Sequence, residues 1–183
     1  MWIRKLFKLF TKAQKPDAVA GAASVPAPIT LSAKQALALS RLLLLLLEHL
    51  DTNDRQAQEI AFTKMYLSGE NFFTSILSSE AEGRPSTYLY TDIKGAEEAV
   101  ESCQIIARDR GIKGEFSPSI ESGAVDDVID AFDIWLQASG HRFLQDADVD
   151  WGYAGVVVRN ENATEVLEVA TEVGLRFELG RKW

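Results

Sequence analysis

With 183 residues, 46% of them hydrophobic and 25% charged, the chain has the length and composition of one globular domain plus an appendage. The net charge of −8 is unevenly placed. Residues 1–16 hold five bases and no acid, while the remaining 14 bases against 27 acids leave −13, a body that repels nucleic acid and excludes it as a partner. The lone cysteine, Cys103, excludes an intrachain disulfide and fits a reducing compartment, and two histidines are too few for a His-rich metal site.

Residues 1–12, MWIRKLFKLFTK, form the first predicted element, a basic amphipathic helix. At about 100° per residue, Trp2, Ile3, Leu6, Phe7, Leu9 and Phe10 share an arc of roughly 160°. Arg4, Lys5, Lys8 and Lys12 share the opposite one. An aromatic-rich apolar face backed by cations suits the plane of an anionic membrane, or a groove on a protein partner. At roughly 15–18 Å the helix lies on a surface rather than crossing it. One short helix binds weakly, so a homo-oligomer would add avidity. Two other readings stand beside this one: docking on the domain itself or a second copy, and a cleaved targeting peptide. Lys5 and Lys8 interrupt the apolar core that a secretory signal needs. The expected location is the cytoplasm, at the inner face of the membrane.

Residues 13–30 are rich in Ala and Pro and read as a linker, so a single α/β domain spans 31–183. Its lead-in, 31–82, is all helical. Ser32 is placed to cap a helix over about 33–50, Asp51 to Asp54 make a turn, and a second helix runs over about 54–67. A third carries Phe72, Phe73, Ile76 and Leu77. The apolar run Leu42 to Leu47 has six residues, far from the 20 or so that span a bilayer, and is read as core.

From 87 to 180 the pattern is helix, Gly, short apolar strand, three times over. Tyr88 to Tyr90 open with a strand. A helix with Ala99, Cys103 and Ile106 on one face then stops at Gly111, before IKGEF. The next has Val125, Val128, Phe132 and Trp135 on one face and stops at Gly140, before HRFLQ. YAGVVV (153–158) is the clearest strand, and the last helix, with Val166 and Ala170, stops at Gly174, before LRFEL. Glycine just past a helix end supplies the positive φ that closes it. The expected fold is therefore α/β (α+β): a mixed sheet of about four to five strands with packed helices.

Asp146, Asp148 and Asp150 are the weak metal candidates, since D-x-D-x-D opens a calcium loop. The match fails later: Trp151 stands at the sixth position and Val157 at the twelfth. A solvated loop is the alternative. Tyr90, Asp92 and Asp150 could line a polar cleft at strand ends, with helix capping the plainer role for Asp92. Asp126, Asp130 and Asp133 could dock a basic partner, or simply face water opposite the apolar stripe. Cys103 on an apolar face reads as buried and inert, His141 as a packing or capping residue, and Asn162 with Glu165 as a helix capping pair. No nucleophile elbow and no glycine-rich phosphate loop occurs, so no cofactor and no catalytic residue is expected.

TDIKGAEEA and GHRFLQDADVDWGYAGVVV together resemble an uncharacterised family of bacterial α/β domains, over about the last 100 residues. The resemblance implies a bacterial origin and assigns no activity. The leading expectation is a non-enzymatic binding or regulatory domain held at a membrane or partner by residues 1–12. Two alternatives are an acidic immunity-type protein that neutralises a basic toxin or nuclease, and a metal-dependent hydrolase built on the Asp146–Asp150 run.

Overall fold

The computed structural model describes residues 29–69, 86–92, 95–119, 123–149 and 152–180. The helix expected over 1–12, its linker and the helix expected near 72–77 lie outside these residues.

Helix α1 (Ala33–Leu46) starts where Ser32 predicts. The Gln35 amide donates to the Ser32 hydroxyl at 3.2 Å, and the Ser32 amide donates to Gln35 Oε1 at 3.1 Å, a reciprocal capping box. The helix ends at Leu46, short of residue 50. Beyond the turn, Asp51 already accepts the amides of Asn53 and Asp54, which starts helix α2 (Thr52–Leu67).

The rest runs β1 (Leu89–Asp92), α3 (Ala96–Asp109), α4 (Val125–Ala138), β2 (His141–Asp146), β3 (Gly152–Arg159), α5 (Ala163–Glu172) and β4 (Phe177–Leu179). The strands form one sheet in the order β1-β3-β2-β4. The α/β class and the strand number are as expected. The mixed pairing is not, because every neighbouring pair is antiparallel. Strands running the same way are one position apart: β1 and β2 flank β3, and β3 and β4 flank β2.

That order dictates the layers. The crossovers β1→β2 and β3→β4 advance the same way across the sheet but leave from oppositely directed strands. Two right-handed crossovers must then use opposite faces. The packing agrees: α3 and α4 cover Leu89, Phe143 and Val157, whereas α5, with α1 beside it, covers Leu144, Ala154, Val156 and Val158. Central β3 is thus buried on both faces, and Val156, Val157 and Val158 are 0% exposed. Each contributes roughly 1.5–3 kcal/mol of apolar burial.

Helix α1 and the turn after it are tied to α5 and its N-cap by three polar pairs. Lys34 meets Glu172 at 2.9 Å, Arg41 holds both carboxylate oxygens of Glu165, and Glu48 accepts Asn162 Nδ2 at 3.3 Å. Lys34 and Arg41, and their partners Glu172 and Glu165, are each seven residues apart, a step that returns to nearly the same helix face; Asn162 lies one turn further, at the N-cap. The pairing corrects the capping reading: Asn162 sits at the N-cap of α5 but caps nothing with its side chain, because Glu48 and Arg41 have taken both members.

The first helix–Gly–strand step is also corrected. Gly111, Gly140 and Gly174 all take positive φ (71°, 75° and 79°), and strands follow the last two. After Gly111 the chain is irregular. Ile112 donates back to Ala107 at 2.9 Å, and Phe116 turns into the helix layer, 5.1 Å from the Phe132 ring and 5.7 Å from Trp135. Gln104 takes the Phe116 carbonyl at 2.9 Å. The apolar residues of IKGEF therefore plug the α3–α4 seam instead of adding a strand.

Candidate functional site

Where α1 meets α2, the surface holds an open groove of about 480 Å³. Leu39 and Leu43 of α1 form its floor, with Ala36 and Ser40 beside them. Glu59, Thr63 and Leu67 of α2 form the facing wall, and Ile29 to Leu31 close one end. The Ile29 amide bonds the Leu67 carbonyl at 2.9 Å, which ties that end to the wall. Helix α2 is fixed in turn by buried Phe62 and by the Tyr66 hydroxyl, which donates to the Val173 carbonyl at the end of α5. Burial raises the Tyr66 pKa above the usual phenol value.

Apolar side chains are also exposed on the same elements. Among the described residues six large hydrophobic side chains are exposed, and four of them, Ile29, Leu37, Leu44 and Ile60, belong to α1, α2 or the strap before α1. Leu37 is 73% exposed and Ile60 70%. Of the four only Ile29 lines the groove; singly exposed apolar side chains such as the other three are ordinary on a protein surface.

A second constellation lies beneath the C-terminal ends of α1 and α3. Arg110, buried, donates to the Leu46 carbonyl at 2.8 Å and leaves its Nε without a partner. Burial pushes its pKa down to about 10, with Glu48 pulling it back up. Half-buried His49 has neither ring nitrogen paired. Desolvation and the Arg110 charge hold its pKa down to about 3, so the imidazole stays neutral near neutral pH. Glu48 spans the cluster and bonds Arg159 at 3.1 Å. These groups tie α1 to α3 around the sheet. Shifted pKa values do cluster at functional sites, but here the buried cation serves as a structural clasp.

No family model, curated protein or solved structure matches this chain.

The residues singled out in the sequence disperse. Asp146 is buried at the end of β2, where it accepts the Tyr88 hydroxyl at 2.6 Å and the Asp148 amide at 2.9 Å. Asp148 is exposed and pairs with Arg176 at 3.5 Å, while Asp150 lies outside the described residues. Among the described residues no three His, Cys, Asp or Glu side chains converge as a metal site would require. Tyr90 packs its ring over Gly152, against the α1 side of the core. Asp92 ends β1 opposite Gly152, and the backbone of Gly95 rather than Asp92 stands at the start of α3. Asp150, the third of this set, lies outside the described residues.

The acidic face of α4 also divides. Asp126 is exposed and accepts the Tyr153 hydroxyl. Asp130 is half-buried, and Asp133 is buried and fully engaged. Asp133 accepts the Phe143 amide at 2.8 Å, Gln137 Nε2 at 2.9 Å and Arg142 at 3.1 Å. Phe143 lies one residue past the stretch of β2 that β4 covers, and Asp133 supplies the acceptor that the short strand does not. Asp133 is thus part of the framework and cannot dock a partner. Cys103 is buried as expected, and burial pushes its thiol up and keeps it unreactive. His141 is half-buried, its Nδ1 2.8 Å from the Ser139 carbonyl, the packing role expected of it. Among the described residues no helix is long and apolar enough to cross a membrane.

The groove has no signal in the sequence, because its lining comes from two helices and the strap before them; Leu37 and Leu44, exposed off the buried stripe of α1, are not among its lining residues.

Proposed function

We propose that this chain is a non-enzymatic binding domain carried at the cytoplasmic face of an anionic membrane by residues 1–12. The charge split carries the reading: +5 over residues 1–16 against −13 over the rest, with a continuous apolar face opposite the leader's cations. Each base near an anionic surface contributes roughly 1 kcal/mol, so the five cations together with Trp2, Phe7 and Phe10 suffice for reversible attachment. The body's own charge opposes adsorption and keeps the domain off the surface, at the end of its Ala/Pro linker. The α1–α2 groove supports a binding role for the domain, because it is an open, mostly apolar recess with half-exposed Ile29 at one end.

Co-sedimentation with phosphatidylserine vesicles tests this. The full chain should pellet, release in high salt, and lose binding when residues 1–15 are removed. Equal pelleting of both chains refutes the membrane reading. Binding by neither hands residues 1–12 to a protein partner instead.

A further inference from the structure

We infer that, away from a membrane, residues 1–12 of this chain occupy the groove between α1 and α2, so that the leader is stored on its own domain. The inference deepens the proposed function, but it is decided without any membrane present.

Connectivity is the first support. The leader joins the domain at Ile29, and Ile29 itself lines the end of the groove. Residues 13–28 supply 16 residues, and at about 3.1 Å per residue an extended segment of that length reaches up to roughly 50 Å, well beyond the length of the groove. The segment can therefore turn back along the groove. Tethering at that range gives an effective concentration on the order of millimolar, enough to fill a site of weak intrinsic affinity.

Dimensions are the second support. Helices seat in grooves through anchors at i, i+4 and i+7. The leader has two such series, Ile3–Phe7–Phe10 and Trp2–Leu6–Leu9. Seven residues of helix rise about 10 Å. The α1 wall of the groove, from Ala36 to Leu43, covers the same seven-residue distance. A volume of 480 Å³ gives room for one series of three large side chains.

Charge does not oppose it. Residues 29–69, which build the groove, hold four bases and four acids, Glu59 on the wall among them, so the groove carries no net charge against the leader, whose Arg4, Lys5, Lys8 and Lys12 face away from its anchors. The anchors that would enter the groove are the same side chains that would enter a membrane. The two sites are therefore mutually exclusive, and an anionic surface draws the leader out only by binding it better than the groove does.

Cross-linking of the full chain tests this. Thr11→Cys, next to the anchors on the helix but not one of them, is combined with Thr63→Cys in the groove or, as control, with Ile134→Cys on exposed α4, and a short bismaleimide is applied. Buried Cys103 does not compete. The expected result is an intrachain product, monomeric on a denaturing gel, formed at least tenfold faster with Thr63→Cys than with Ile134→Cys. Phosphatidylserine vesicles should then suppress it. Equal rates at both positions show a leader that merely roams, and overturn the inference. A product linking two chains assigns the groove to the leader of a second copy, and overturns it as well. Because the first comparison uses no vesicles, its failure leaves the membrane reading standing, and failed sedimentation leaves groove docking standing.

Discussion

Replacing Asp133 with Ala separates a framework carboxylate from a docking one. The substitution leaves the Phe143 amide, buried between α4 and β2, without an acceptor, which costs about 1–3 kcal/mol. Arg142 also loses its partner, but its side chain is 22% exposed and turns to water, adding about 1 kcal/mol. The total, about 3 kcal/mol, corresponds to a fall in Tm of roughly 6–12 °C for a domain of this size. Asp133→Asn keeps an oxygen for the Phe143 amide but replaces the oxygen that accepts Gln137 Nε2 and Arg142 with a donor, so it should cost about 1–2 kcal/mol. Asp126→Ala, on the exposed face of the same helix, should stay within about 0.5 kcal/mol of the parent. Urea unfolding followed by circular dichroism gives all three. If Asp133→Ala unfolds at the same urea concentration as Asp126→Ala, the amide finds another acceptor and the framework role is wrong.

Acidification should act through His49. The unfolded imidazole takes a proton as pH falls through about 6.5, but the folded one only near 3, so protons favour the unfolded chain between those values. Stability is full above pH 6.5 and should drop by about 2 kcal/mol by pH 4 once partial solvent access is allowed for, and His49→Phe should flatten that part of the pH–stability curve. Gly155→Ala should destabilise by more than about 3 kcal/mol, because the new methyl would meet the Leu144 carbonyl and lie 2.8 Å from Phe143 Cζ; an unchanged melting curve would show that β2 can shift. Glu48→Ala should cost about 1–2 kcal/mol in urea, since it strips buried Arg110 of its nearest countercharge and releases Arg159 and Asn162.

The local vocabulary of the fold was readable in advance because it depends on neighbours in sequence. Ser32 with Gln35, the stripes of α3, α4 and α5, the glycines at 111, 140 and 174 and the strand around Val156 all obey short-range rules. What failed depends on distance. IKGEF has a strand's composition, but Phe132 and Trp135 offered its phenylalanine a better place than a sheet edge did. Asn162 and Glu165 have a capping pair's spacing, but residues 48 and 41 claimed them from more than a hundred positions away. The Asp cluster of α4 looked uniform until the shortness of β4 gave Asp133 a different task. The groove is of the same kind: neither α1 nor α2 has a recess alone, and only their apposition makes one.

The ladder from α1 to α5 also bears on the order in which the chain can fold. Arg41 and Glu165 are separated by 124 residues, and the sheet face under α1 is built from β2, β3 and β4. The most leucine-rich of the described helices thus emerges from the ribosome well before residues 163–172, and can rest on α2 but must wait for α5 and the sheet to complete its cover. Such non-local pairing slows folding and leaves an apolar helix open to wrong contacts meanwhile. Synthesis at roughly 5–20 residues per second makes that wait several seconds or more, so the time between α1 and α5 is when this chain most needs a chaperone.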